Sequence, residues 1–192
     1  VTGLPIRSYP VPDRSTAPDG KLKVLMLTGG RRSGPYQLAS NLIITALPEL
    51  DRLDLPIEIT IVTGANQSVY QRLASIILRH PIELLGLVDD VQARMARADI
   101  VVGKTGGMFI AEALASGAAL IALTPGPGQE TANANFLQKH RIAEICNRPA
   151  EFVEVLQRLV SDRNALLQMQ HAAANFGRPN AADEVARVVL SC

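Results

Sequence analysis

The chain has little of what would tie it to a disulfide scaffold, a membrane span or nucleic acid. It contains two cysteines, Cys146 and Cys192, too few for a disulfide framework. They read as a small core residue and a tail residue. No apolar run approaches the roughly 18 residues that cross a bilayer. No basic stretch precedes an apolar one at the start, so the pattern of a secretory signal is missing. A formal net charge of +1 leaves no electrostatic footprint for nucleic acid. Internal repeats and low-complexity runs are missing too. The three histidines, His80, His140 and His171, lack metal-ligand spacing, so no metal site is expected. His80 and His140 read as capping residues. No Ser-His-Asp or Cys-His arrangement can be assembled, so no catalytic residue is assigned within this chain. A cytoplasmic location is expected.

What is present is the composition of one ordinary globular domain: 192 residues, 47% hydrophobic and 19% charged. The opening is different in kind. Pro5, Pro10, Pro12 and Pro18 fall within residues 1–20 and make that stretch an interdomain linker or incoming strand. Residues 21–192 then form the domain, and the chain, beginning at Val1, is expected to be the C-terminal half of a larger protein.

From residue 21 short apolar runs alternate with amphipathic stretches. Strands are expected at 21–28, 57–63, 82–86, 99–102 and 118–123, with an edge strand at 142–145. Helices are expected at 35–47, with Leu38, Leu42 and Ile43 inward, and at 67–79, with Leu73, Ile76 and Ile77 inward. Further helices are expected at 91–98, 107–116, 129–140, 151–160, 163–174 and 181–190. Strands that are apolar throughout, each followed by a helix, imply a parallel sheet covered on both faces. Right-handed crossovers make this a doubly wound, Rossmann-like α/β fold, whose ligands bind at the carboxyl ends of the strands.

The loops at those ends carry the chemistry. Lys104-Thr-Gly-Gly-Met108 leaves one strand and opens a helix, where unpaired amides and the helix dipole favour an anion. Gly106 and Gly107 have no Cβ to obstruct it. The next strand ends in Thr124-Pro-Gly-Pro-Gly-Gln-Glu-Thr-Ala-Asn133, which delivers Gln129, Glu130 and Asn133 to the same edge. A phosphate at one loop and a hydroxyl-rich group at the next suggest a nucleotide-sugar. Thr28-Gly-Gly-Arg-Arg-Ser-Gly34 fails the dinucleotide fingerprint, because Arg31 stands at its third position. It also fails the P-loop pattern, where Pro35-Tyr36 replace Lys-Ser/Thr. It reads as a partner to Lys104–Gly107 in a joint anion site. Glu112 reads either as helix-dipole pairing or as an acceptor for ribose hydroxyls. Arg94, Arg97 and Asp99 read as solvated surface charges.

These motifs resemble the C-terminal donor-binding domain of the family 28 glycosyltransferases of the GT-B fold. That family includes monogalactosyldiacylglycerol synthase, the processive diacylglycerol glucosyltransferases and, more distantly, the peptidoglycan N-acetylglucosaminyltransferase MurG. Leu27-Thr-Gly-Gly30 is similar to its glycine loop, Gly86-Leu-Val-Asp-Asp90 to its uracil-side loop, and Lys104-Thr-Gly-Gly107 to its Lys-Pro-Gly-Gly. Gly128-Gln-Glu-Thr-Ala-Asn133 matches its Gly-Gln-Glu-x-x-Asn pattern, the most specific of the set. Two departures are Arg31-Arg32-Ser33 in the first loop and Thr105 in place of the proline.

The resemblance implies a UDP-sugar donor. Val88 would hold the uracil through backbone groups and Glu112 the ribose. Gly29, Gly30, Gly106, Gly107 and Met108 would line the diphosphate, with Lys104 beside them. Gln129 and Glu130 would grip the sugar hydroxyls, and Asn133 would support that loop. It also implies a lipid acceptor such as diacylglycerol, held by an absent N-terminal domain that supplies the general base, with peripheral membrane contact by the full-length protein. No cofactor is implied beyond the donor itself. Two alternatives stand beside this reading: a separate nucleotide-sugar-binding subunit or sensor on a membrane partner, and a UDP-sugar epimerase.

Overall fold

The computed structural model describes residues 3–7, 12–13, 20–29 and 35–191. Gly30 and the Arg31, Arg32 and Ser33 departures lie outside the described residues, as does Cys192. The elements run β1 (Leu22–Leu27), α1 (Pro35–Arg52), β2 (Ile57–Val62), α2 (Gln67–Ala74), β3 (Glu83–Leu85), α3 (Val91–Arg97) and β4 (Ile100–Lys104). They continue through α4 (Gly107–Ala115), β5 (Ala119–Leu123), α5 (Gln129–Lys139), β6 (Ala143–Cys146), α6 (Pro149–Ser161), α7 (Arg163–Phe176) and α8 (Ala181–Leu190).

The strands form one six-stranded sheet in the order β3-β2-β1-β4-β5-β6. Every pairing is parallel. The chain winds outward from β1 to β3, crosses back, and winds outward again from β4 to β6. The order therefore reverses between β1 and β4, which is where a doubly wound sheet opens a crevice.

Apolar residues on both sides of each strand explain the layering. Val24, Met26, Ile100, Val102, Ile121 and Leu123 face one core layer with α1, α2 and α6. Leu25, Val101 and Leu120 face the other with α3, α4 and α5. Successive residues point to opposite faces, so an uninterrupted apolar run is needed when both faces are covered.

Several elements differ from the sequence expectation, each for a local reason. α1 continues past Pro48 to Arg52. Proline inside a helix costs about 3 kcal/mol, but Leu50 beyond it is buried. Asp51 also ties down the helix end by accepting from Arg79 N at 2.9 Å and His80 N at 3.0 Å. On the same helix Leu38 is 57% exposed rather than inward. α2 stops at Ala74, where the Ser75 hydroxyl bonds back to Arg72 O at 2.8 Å, and Ile77 is left 97% exposed. Within the proline-rich opening, Ile6 is buried at 2% exposure, so part of that stretch packs on the domain.

His80 bridges two carboxylates rather than capping a helix. Its Nδ1 lies 3.1 Å from Asp51 Oδ1 and its Nε2 3.0 Å from Asp54 Oδ1. His140 does occupy the C-cap of α5, with its ring against Phe136 and Phe176. Asp99 and Arg94 are not simply solvated. Asp99 accepts from Lys23 N at 2.8 Å, joining β1 to the start of β4. Arg94 pairs with Asp90 at 2.8 Å and with Glu83 at 3.1 Å. That hydrogen bond from Arg94 holds the Asp90 carboxyl below its ordinary value. Cys146 is buried, which pushes its thiol up to about 12 and leaves it a core residue.

Candidate functional site

The carboxyl ends of β1, β4 and β5 are the centre of the sheet edge, and most of the candidate residues stand there. Gly29 leaves β1 with φ 80°, in the left-handed region open to glycine. The register pairs Met26 with Val102, so Thr28 comes level with Lys104 at the neighbouring strand end. Lys104 in turn pairs with Leu123, so Thr105 and Thr124 leave the sheet side by side.

Two contacts across 26 and 28 residues of sequence draw the β4–α4 and β5–α5 loops together. The Lys104 ammonium pairs with Glu130 Oε1, and both side chains are largely covered, at 10% and 17% exposure. Asn133 Nδ2 donates to Thr105 O at 2.9 Å. Within the second loop Glu130 Oε2 accepts from Gly126 N at 2.8 Å, and the Thr131 hydroxyl donates to Gly126 O at 2.9 Å. A Cβ placed on Gly107 would come 3.9 Å from Gln129 Nε2. Lys104, Gly106, Gly107, Gln129, Glu130 and Asn133 are therefore one group. The ion pair is a structural feature that motif reading alone did not reveal, since each partner was expected to face a ligand.

Both helices of this group start bare. The N-cap of α4 is Gly106 and that of α5 is Gly128, and neither receives a side-chain cap. A helix start leaves amides without intrahelical partners, and its dipole concentrates positive potential there. A Cβ on Gly106 would meet nothing within 4 Å, so the backbone is open on that side. Gly128 holds φ 77°, a turn that brings Gln129 and Glu130 round toward α4. Met108, on the first turn of α4, is half-exposed.

Glu112 is linked in another direction. Its Oε1 accepts from Gln92 Nε2 of α3 at 2.9 Å, and both side chains are half-buried. Gln92 lies just beyond the 86–90 loop, so this bond connects α4 to the turn that carries Val88. Val88 itself is half-buried and packs on the core layer beneath α3 and α4. Gln92 carried no motif signal, because an amide is legible as a partner only once the carboxylate it meets is known.

Chemically, the arrangement offers two amide-lined helix starts, one lysine, and a carboxylate and amide series at Gln129, Glu130 and Asn133. Such a set suits an anion joined to a hydroxyl-bearing group.

Comparison with known proteins agrees with this architecture. Residues 24–185 match the model of the glycosyltransferase family 28 C-terminal domain. A processive diacylglycerol beta-glucosyltransferase of Bacillus pumilus is 30% identical over 182 residues, covering 88% of this chain and 45% of the relative. The chloroplastic monogalactosyldiacylglycerol synthase of Spinacia oleracea is 26% identical over 193 residues, covering 94% of this chain and 37% of the relative. The crystal structure of Acinetobacter baumannii MurG shares the fold with a TM-score of 0.73 at 23% identity, covering 93% of this chain and 52% of that one. The chain thus spans about half the length, or less, of these three proteins, and it belongs to glycosyltransferase family 28, as the C-terminal domain of that family.

Proposed function

We propose that this domain holds a UDP-hexose and serves as the donor-binding half of a hexosyltransferase whose acceptor is a lipid such as diacylglycerol. The observation that carries the reading is the junction of two glycine-opened loops by Lys104–Glu130 and Asn133–Thr105, with bare helix starts on both. The diphosphate would lie against the amides of α4, near Gly29, Gly106, Gly107 and Met108. Lys104 would meet its charge, the uracil would rest by Val88, and Glu112 would accept from the ribose. Gln129 and Glu130 would face the sugar, with Asn133 bracing their loop through Thr105. The names of two relatives, a diacylglycerol beta-glucosyltransferase and a monogalactosyldiacylglycerol synthase, support the lipid acceptor.

In the transfer, an acceptor oxygen bonds to the anomeric carbon, the bond from that carbon to the diphosphate breaks, and UDP leaves with the electron pair. Amides and Lys104 fixed in advance stabilise the charge that develops on the leaving group. The proton of the acceptor goes to a base outside this chain. The domain alone is then a binder without transferase activity. Among the described residues no helix is long and apolar enough to cross a membrane, and this reading has the full-length protein meet its lipid acceptor by peripheral contact.

Calorimetry with UDP, UDP-galactose, UDP-glucose and UDP-N-acetylglucosamine tests this, on the wild-type domain and on Glu112→Ala. Loss of a charge-assisted hydrogen bond predicts roughly 10- to 100-fold weaker UDP binding in the variant. Equal UDP affinity in the two proteins would remove Glu112 from the ribose. Transfer of hexose to diacylglycerol by this domain alone would overturn the division of labour.

A further inference from the structure

The carboxylate assigned to the ribose, Glu112, is held by a residue of another helix. Gln92 Nε2, on the first turn of α3, donates to Glu112 Oε1, on the second turn of α4, at 2.9 Å. Both residues are half-buried. An amide serving only to staple α3 to α4 would be redundant. Met95 and Ala98 already seat α3 in the core layer that contains Ile110 and Ala113 of α4. Arg94 of the same helix is tied to Asp90 at 2.8 Å and to Glu83 at 3.1 Å. The bond is also of a kind that suits a carboxylate meeting a ligand. Gln92 carries no charge, so it orients Glu112 without cancelling its negative charge, whereas Lys104 and Arg158 meet Glu130 and Glu144 with full charge. The amide takes one of the roughly four acceptor positions of the carboxylate.

We propose that Gln92 is a positioning residue for the ribose. It fixes the Glu112 carboxylate so that other acceptor positions meet the 2′- and 3′-hydroxyls, and it thereby sets the preference for a ribonucleotide over one lacking those hydroxyls. The inference rests on the UDP-sugar reading of the site above and extends it to a residue that acts on the nucleotide only through Glu112. A glutamate side chain is flexible, and ordering it at the moment of binding weakens affinity. Held by Gln92, it is ordered beforehand. Gln92 also stands two residues past the 86–90 turn that carries Val88, so the same bond sets the spacing between the uracil and the ribose.

Gln92→Met keeps the length and helix propensity of the side chain and removes its donor. Gln92→Glu keeps the shape and turns the donor into a second carboxylate, which repels the first. Calorimetry with UDP and with 2′,3′-dideoxy-UDP is run on both variants, on wild type and on Glu112→Ala. The ratio of the two affinities decides, since a loss of folded protein weakens both ligands alike. Wild type should prefer UDP by roughly 10- to 100-fold, as charge-assisted bonds to the ribose imply. Gln92→Met should bind UDP about 3- to 10-fold more weakly and dideoxy-UDP within about twofold of wild type. Gln92→Glu should reduce the preference at least as far. Gln92 variants that keep the wild-type ratio, or that both fail to fold, make the bond a structural staple and overturn the proposal, while leaving Glu112 on the ribose. A wild-type ratio in Glu112→Ala, or a wild type without preference for UDP, takes Glu112 off the ribose and removes the proposal with it.

Discussion

Helices α2, α3, α4, α5 and α6 all begin at the same edge of the sheet, yet they do not begin alike. At α2 the Asn66 side chain accepts from Val69 N at 3.3 Å. At α6 the Glu151 carboxylate accepts from Asn147 N at 2.7 Å and from Arg148 N at 3.2 Å. α2 and α6 thus satisfy amides at their starts from within the chain, as stability alone would favour, whereas at α3 the N-cap Asp90 makes no side-chain cap. Helices α4 and α5 start on Gly106 and Gly128, N-caps with no side chain to offer, although Glu130 of α5 accepts from Gly126 N at 2.8 Å. The same edge also holds the hydroxyls of Thr28, Thr105 and Thr124, buried with no hydrogen-bond partner among the described residues. Polar capacity is thus spent on folding at α2 and α6 and held back at the start of α4, beside the topological switch point, where a ligand would use it.

The sharpest way to break this contrast is to give α4 the cap it lacks. Gly106 has φ −71° and ψ 141°, a conformation any N-cap residue adopts, and open space where a Cβ would stand. Gly106→Asp should therefore stabilise the fold, by about 0.3–1 kcal/mol through the helix dipole. The same carboxylate would occupy the amides and repel a diphosphate, so UDP affinity should fall by roughly 10- to 100-fold. Chemical denaturation and calorimetry on one preparation read both effects. A rise in stability with unchanged UDP affinity would mean that these amides do not meet the ligand.

How much of this was legible beforehand follows the same division. Periodicity located every strand and helix of the sheet, because a parallel sheet buried on both faces leaves near-continuous apolar runs such as Ile100–Val102 and Ala119–Leu123. Element ends were harder. Pro48 signals a stop that burial of Leu50 overrides, and Ile77 looked inward only on a helix that Ser75 had already ended. In the site, the glycines and the Gln129-Glu130-Asn133 series announced themselves, since backbone freedom and helix starts are local properties. The Lys104–Glu130 pair, the Gln92–Glu112 bond and the orphaned hydroxyls were not legible. Each depends on which strand ends become neighbours, and that follows from the register of the assembled sheet.

A smaller effect is expected at the flank. Asn66→Ala removes the α2 cap and should cost about 1 kcal/mol, seen as a melting point roughly 2–4 °C lower. UDP binding should not change, because the capped helix is taken to serve the fold alone. A parallel loss of UDP affinity would blur the line drawn between the starts of α2 and α4.

The smallest effect belongs to the far end of the molecule, where Asp51 joins the end of α1 to the approach to β3. Its hydrogen bond from Arg79 N, together with the bonds from His80, holds its carboxyl below the ordinary 3.8. A carboxyl with a lowered folded-state value contributes stability that is present above the unfolded value and disappears as the pH falls through the folded one. Asp51→Asn should therefore lower the melting point modestly at pH 7, and the gap between variant and wild type should close as the pH falls below about 3.8. UDP affinity at pH 7 should be untouched, since the polar groups of this end are satisfied by one another. A melting-point gap that stays constant down to pH 3 would show that the amide geometry at Arg79 and His80, rather than the carboxylate charge, carries the contribution of Asp51.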